Sequence, residues 1–289
     1  MENLPLVSIC CITYNHEKYI AQAIDSFLMQ ETDFDVEIVI GDDCSSDATP
    51  LIIEEYRQKF PEKFRILKRE KNLGSEVNFI KTIQECNGKY VALCEGDDYW
   101  TDSLKLEKQV KALEDRPTFS ICVTKHSILD EESGINSVFE PFGNELTNEQ
   151  YIIKKKSIFS PYLFQTHTIL FKKKFLQKKI YKETKCGDVF IAAELLSQGD
   201  GIYIPEDTGT YRKHAGGMFS KKNTFERYSV EFIRSKAMNS YFRATYPEIQ
   251  QLHIWNRKKL LNHISDSNIP ILTKLKWRVK LLLDKKLNG

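Results

Sequence analysis

Tyr90-Val-Ala-Leu-Cys-Glu-Gly-Asp-Asp-Tyr-Trp100 is an apolar run that ends in two adjacent carboxylates. Short unbroken apolar runs mark strands buried on both faces of a parallel sheet, and in open α/β sheets ligands sit beyond the carboxyl ends of the strands. Asp97 and Asp98 therefore fall at a crevice. Neighbouring carboxylates repel unless a cation is shared, and hard oxygen donors suit Mg2+ or Mn2+ held together with substrate phosphates. The same residues also suit a polar turn with Asp98 near a helix N-cap, and this stretch alone leaves both open.

Outward from it, the first hundred residues alternate strand and helix. Val7-Ser-Ile-Cys-Cys-Ile12, Val36-Glu-Ile-Val-Ile40 and Phe64-Arg-Ile-Leu67 are strand-like. Between them, Glu17 to Gln30 carries Ile20, Ala23, Ile24, Phe27 and Leu28 at helical spacing, and Thr49 to Phe60 and Glu76 to Glu85 also read as helices. This alternation builds βαβ units, so the expected class is α/β with a mostly parallel, Rossmann-like central sheet flanked by helices. A dinucleotide fold would show G-x-G-x-x-G after the first strand; Thr13-Tyr-Asn-His16 stands there, and no P-loop motif occurs. Three strand-end loops still carry polar groups able to face one crevice: Tyr14 and Asn15, Asp42 and Asp43, Asp97 and Asp98. Tyr14 can stack on a base and Asp43 can accept from a ring N–H. Locally, Asn15 can instead cap the next helix, and Asp42-Asp-Cys-Ser-Ser-Asp47 can form a turn plus an N-cap.

Thr13-Tyr-Asn15, Ile38-Val-Ile-Gly-Asp-Asp-Cys-Ser-Ser-Asp-Ala-Thr49, Asn72-Leu-Gly74 and Gly88-Lys-Tyr-Val-Ala-Leu-Cys-Glu-Gly-Asp-Asp98 resemble, in order and spacing, the nucleotide-binding motifs of the family 2 glycosyltransferases. The resemblance covers roughly residues 5 to 217. It implies a GT-A fold, an inverting sugar transfer from a nucleotide diphosphate sugar (a UDP-sugar favoured) and a Mg2+ or Mn2+ cofactor. By position it assigns Ile12, Tyr14, Asn15, Asp43, Gly74, Glu95, Gly96 and Arg212 to the nucleotide, and Asp97 and His214 to the metal. Asp42, Asp98, Trp100 and His167 take supporting or acceptor-side places. Glu95 departs from the family's D-x-D pattern, whose first member is Asp.

The later chain supplies the remaining chemistry. Asp188 precedes an apolar helix in Cys186-Gly-Asp-Val-Phe-Ile-Ala-Ala-Glu-Leu-Leu196; it matches the family's general base, although Gly187 replaces the usual Glu before it, and it equally suits a helix-dipole acid. Gln165 to Phe171 reads as a strand, residues 130 to 160 as a polar loop near the acceptor, and Gly201 to Ile204 as a strand before Tyr211-Arg-Lys-His-Ala-Gly-Gly217. That last segment is similar to one that closes over the diphosphate. There His214 would bind metal or donate to the leaving phosphate, Arg212 would neutralise charge, and Gly216 and Gly217 would give mobility, unless the segment is merely a solvated basic loop.

Residues 1 to 220 are thus expected to form the catalytic domain and 221 to 289 a helical, basic C-terminal extension. Residues 1 to 150 hold 15 Lys+Arg against 29 Asp+Glu, and residues 151 to 289 hold 27 against 11. Nucleic-acid modules are not visible, so no nucleic-acid partner is expected. Ile269 to Leu287 spaces Leu272, Leu275, Val279, Leu282 and Leu283 among lysines and arginines, with Trp277, and suits either an anionic membrane surface presenting a lipid-linked acceptor or packing on its own domain. No signal peptide or membrane span is read, and Cys10, Cys11, Cys44, Cys86, Cys94, Cys122 and Cys186 make no C-x-x-C pair, so the expected place is the cytoplasm or the inner face of the plasma membrane. The expected partners are the sugar nucleotide and a glycan or lipid-linked acceptor, in bacterial surface polysaccharide synthesis. Two rivals stay open: a nucleotidyltransferase, which would need a glycine- and basic-rich first loop, and an inactive sugar-nucleotide or membrane-binding module.

Overall fold

The computed structural model describes residues 5–139, 151–154, 165–177, 187–217, 222–266 and 269–288 of the 289. It divides into two compact units, Met1–Lys213 and His214–Gly289.

The first unit is built on one sheet. Strands β1 (Val7–Thr13), β2 (Val36–Asp42), β3 (Phe64–Lys68) and β4 (Tyr90–Leu93) form a parallel block in the order β3-β2-β1-β4. Both faces of β1 and β4 are covered, which is why their sequences are continuous apolar runs rather than alternating ones. Helices α1 (Ile20–Leu28), α2 (Thr49–Lys59) and α3 (Ser75–Glu85) connect these strands. In α1 the residues Ile20, Ala23, Ile24 and Phe27, three and four apart, are the ones buried.

Beyond β4 the sheet is mixed. It continues through β9 (Leu170–Lys172), β6 (Ile121–Asp130) and β10 (Gly201–Lys213) to β5 (Tyr99–Trp100), with β7 (Ile135–Phe139) on β6 and β8 (Tyr151–Ile153) on β10. The helix α4 (Lys105–Glu114) lies between β5 and β6 in the chain, and α5 (Gly187–Gln198) between β9 and β10. Three expectations change here. Gln165 to Phe171 is not one strand: Thr166–Thr168 is a 3-10 turn, closed by Thr168 N–H and Oγ1 donating to the Gln165 carbonyl (3.0 and 2.7 Å), and β9 follows it. The stretch expected as a loop from 130 contains β7 and β8; residues 140–150 and 155–164 of it lie outside the described residues, as does Cys186. The strand read over Gly201 to Ile204 runs on to Lys213, with register shifts on either side of Asp207, next to Pro205, which has no N–H to give the ladder.

The second unit is helical: α6 (Thr224–Phe242), α7 (Ile249–Asp266) and α8 (Ile271–Asn288). Asn223 and Glu226 close the start of α6 as a reciprocal capping box. Phe232, Leu260, Ile264 and Leu281 form its core, with Trp277 partly buried against them, so Trp277 is not on the outer stripe of α8. No helix among the described residues is long and apolar enough to cross a membrane.

Candidate active site

The site grows from the ends of adjacent parallel strands. Pairing of β1 with the chain after β4 outlasts the strand itself: Cys94 N–H donates to the Cys10 carbonyl (3.2 Å) and Gly96 N–H to the Ile12 carbonyl (2.9 Å). This zipper carries the next residue, Asp97, past the end of β1. Position 96 must be bare, because a Cβ there would lie 2.8 Å from Thr13 Oγ1 and 2.9 Å from Ile20 Cδ1. Ile12 and Gly96, predicted to touch nucleotide, thus meet each other through their backbones.

The turn that follows is clasped by Arg212. Its backbone N–H donates to Asp98 Oδ1 (2.8 Å), its Nε to the Asp97 carbonyl (2.8 Å), its Nη1 to Glu131 Oε1 (3.0 Å) and its Nη2 to Gln22 Oε1 (2.7 Å). The guanidinium carbon sits over the rings of Tyr19 (4.8 Å) and Tyr99 (4.9 Å). The sequence places Arg212 in a mobile loop, neutralising phosphate charge; it is instead a buried strand residue whose donors fix the Asp97-Asp98 turn.

Four carboxylates gather here. Burial, then the charges of Asp98, Asp97 and Asp188, hold the Glu95 carboxyl well above the usual carboxylate range, while a hydrogen bond from Thr166 works the other way. Thr166 Oγ1 also lies 3.1 Å from Asp188 Oδ2, so its one proton can serve either acid and the threonine stands between the D-x-D-like segment and the first turn of α5. The same four acids, after burial, raise the Tyr211 hydroxyl's pKa. His16 Nε2 lies 3.7 Å from Asp97 Oδ2. Asp98 turns the other way, into the protein, where His167 Nδ1 is 3.4 Å from its Oδ2.

A divalent cation fits this chemistry. Among the described residues no three His, Cys, Asp or Glu side chains converge to hold a metal unaided. Mg2+ and Mn2+ sites of this kind need only one or two carboxylates, with water and substrate phosphates completing the shell. Asp97 and Glu95, in a cluster of like charge, are donors of that type.

The loop end of the crevice is organised by Asp43. Its Oδ1 accepts from Leu73 N–H (2.8 Å) and its Oδ2 from Gly74 N–H (2.9 Å), which ties the β2 end to the Asn72-Leu-Gly74 loop. Gly74 has φ +84°, a left-handed conformation that favours glycine. Asn15 does not cap α1; at φ +56° its N–H donates to Ser45 Oγ (2.9 Å) and its Oδ1 accepts from Ser46 N–H (2.8 Å), binding the first loop to the second. Asp42 accepts from the Ser45 N–H (3.3 Å), inside the same loop. Tyr14 stands out from these loops with its side chain exposed.

Trp100 and His167, expected in supporting or acceptor-side places, are both buried behind the acid turn. Trp100 is a core residue, 2% exposed, stacked at 5.0 Å on Phe27 with its Nε1–H on the His167 carbonyl (2.9 Å). His167 is wholly buried, and burial followed by the charge of Lys105 lowers its pKa to about 3. His214 is the first residue of the second unit, where Gly217 N–H donates to its carbonyl (3.0 Å). The sequence reading missed His16, Thr166 and Glu131. The first two adjoin residues singled out for other reasons, whereas Glu131 lies in a stretch that reads as loop and acquires its role only through the pairing of β6 with β10.

The family model described as glycosyl transferase family 2 matches residues 8–183. An uncharacterized protein of Mycobacterium tuberculosis is 35% identical over 223 residues, covering 76% of this chain and 62% of that protein. This chain thus spans about three fifths of the length of the first curated relatives it matches. Among solved structures, S. aureus TarS in complex with UDP-GlcNAc aligns with a TM-score of 0.67 at 19% identity, over 94% of this chain and 78% of that one. The mannosyltransferase PcManGT from Pyrobaculum calidifontis, in complex with GDP-Man and Mn2+, aligns at 0.60 and 17% identity, over 98% and 81%. At these identities the structural likeness establishes the shared fold, which is GT-A.

Proposed function

The chain belongs to glycosyl transferase family 2, and on that premise we propose that it transfers a sugar, with inversion, from a nucleoside diphosphate sugar to a hydroxyl of a glycan or lipid-linked acceptor in surface polysaccharide synthesis at the cytoplasmic side. The observation that carries this reading is the convergence of Glu95, Asp97 and Asp188 at the ends of β4 and α5, with Thr166 bonded to Asp188 between them. Acid residues from separate parts of the chain, gathered at the carboxyl edge of a parallel block, are what a reaction between a diphosphate leaving group and a hydroxyl needs.

In this scheme Tyr14 and Asp43 hold the base, uracil being favoured; the UDP-GlcNAc bound to TarS supports that base, and the guanine nucleotide bound to PcManGT is its competitor. Asp97, assisted by Glu95, would hold Mg2+ or Mn2+, which would supply positive charge against the departing diphosphate. Asp188 takes the proton of the acceptor hydroxyl while that oxygen bonds to the anomeric carbon and the nucleoside diphosphate departs. Thr166, donating to one Asp188 oxygen, fixes the orientation in which the carboxylate meets that proton. Arg212 acts as a positioning residue for Asp97.

The test is a thermal-shift panel with UDP, dTDP, GDP and CMP, each with and without Mn2+, on the native chain and on Asp97→Asn. A metal-dependent shift with one nucleotide, lost in the variant, is expected; equal shifts in both proteins would remove Asp97 from the site. Asp188→Asn should abolish turnover while keeping that shift.

A further inference from the structure

Helix α8 carries two different apolar faces, and only one of them is used within its unit. Leu281 and Asp284 are buried, Asp284 Oδ2 lying 2.7 Å from His253 Nε2 and its Oδ1 2.8 Å from Lys236 Nζ, and Trp277 packs edge-on to Phe225 at 5.9 Å. These contacts fix the rotation of the helix about its axis. Ile271, Leu272, Leu275, Val279, Leu282 and Leu283 are then left between 54% and 82% exposed. At about 100° per residue all six fall within an arc of about 120°. An exposed apolar stripe this regular marks an interaction surface.

Charge identifies the partner. On the same helical wheel Lys274, Arg278 and Lys285 border one side of the stripe, and Lys276 and Lys280 border the other. The only acid of the helix, Asp284, is turned inward and already paired. A second copy of the same helix would bring cation rows against cation rows, the reverse of the complementary flanks that specify helix pairs. A bilayer surface with anionic headgroups satisfies both features at once: acyl chains take the stripe and headgroups take the flanking lysines and arginine.

We propose that α8 lies in the plane of an anionic membrane surface and docks the protein there, apolar stripe inward. This rests on the second unit alone and does not depend on the transferase reading. Packing within the unit and the proposed membrane contact use different faces of the helix.

The test is co-sedimentation of the full chain with phosphatidylcholine vesicles, with and without phosphatidylglycerol. Two surface variants accompany it: Leu275→Gln with Val279→Gln and Leu282→Gln, and Lys276→Glu with Lys280→Glu. Strong binding only to the phosphatidylglycerol vesicles is expected, reduced at least about tenfold in each variant and weakened by added salt. Because the altered side chains are exposed, far-UV circular dichroism and the nucleotide-induced thermal shift should be unchanged in both. Equal binding to both vesicle types would overturn the proposal, as would binding undiminished in the triple glutamine variant. A chain that ignores vesicles but sediments as a dimer, and becomes monomeric in that variant, would assign the stripe to a second copy instead.

Discussion

Replacing Arg212 with lysine tests whether the acid turn is held from behind. The side chain makes three hydrogen bonds, to the Asp97 carbonyl, Glu131 and Gln22, in a planar fork between two tyrosine rings. A lysine has one nitrogen on a thinner stem, and the three acceptors lie on different residues, so at most one or two bonds survive. Hydrogen bonds to charged groups contribute about 1.5 to 3 kcal/mol each. Glu131 is partly exposed and water recovers some of that loss, so Arg212→Lys should cost about 3 kcal/mol in urea unfolding at neutral pH. The functional loss should be larger in proportion. The Asp97 carbonyl is released, and displacement of a catalytic group by about 1 Å lowers the rate about a hundredfold. The backbone bond from Arg212 N–H to Asp98 does not depend on the side chain, so the fold of the strand should persist. A lysine variant within about 0.5 kcal/mol of the native chain, with full metal-dependent turnover, would refute the clasp.

Gly96→Ala should lose about 1 to 3 kcal/mol in chemical denaturation and lower turnover and metal-dependent nucleotide binding, because its methyl would press on Thr13 and Ile20; an unchanged midpoint and nucleotide-induced thermal shift would refute this. Asp43→Ala strands the N–H groups of Leu73 and Gly74 and should cost about 1 to 3 kcal/mol while abolishing the nucleotide-induced thermal shift. His126 and His167 are both buried with pKa values lowered to about 3, burial being the first cause in each. Neutral in the native state, they lose protons the unfolded chain would hold, so their contribution is present above about pH 6.5 and is lost as pH falls toward 3, at about 1.4 kcal/mol per pH unit for each. Urea midpoints between pH 7.5 and 5.5 should therefore fall, with the likewise lowered His253 adding to the slope and the raised Glu95 opposing it, and His126→Leu should flatten that slope.

Legibility followed locality. The parallel block was readable because each piece is self-contained: an apolar run for β1 or β4, a spacing of three and four for α1, and a strand-end acid at Asp43 or Asp97. In the mixed half the starts of strands at Gly201 and near Leu170 were legible but their extents and pairings were not, because those are defined by partners far along the chain. Nothing within Ile121 to Asp130 announces that it pairs with both β10 and β7. Arg212 shows the same limit: a motif-matched arginine beside glycines reads as a lid, and only the extension of β10 past Pro205 turns it inward toward Asp98. Trp100 and His167 were expected in supporting or acceptor-side places without a stated orientation, and only the two-residue strand β5 shows the indole turned back onto Phe27.

The adjacent carboxylates show why such a pair is stable in the absence of symmetry. Asp97 and Asp98 do not share a site: one faces the crevice beside His16, and the other is buried against a backbone N–H and His167. Two neighbouring side chains also have partners beyond this pair. The guanidinium of Arg212 reaches the Asp97 carbonyl but takes Glu131 as its acid, and His167 is held neutral by burial and by Lys105. The charge of Asp98 adds to the field at Glu95, as the raised Glu95 pKa records. Negative potential at the crevice is thus built by the partners behind it, and a cation arriving with a diphosphate meets a field already set in part by residues it never touches.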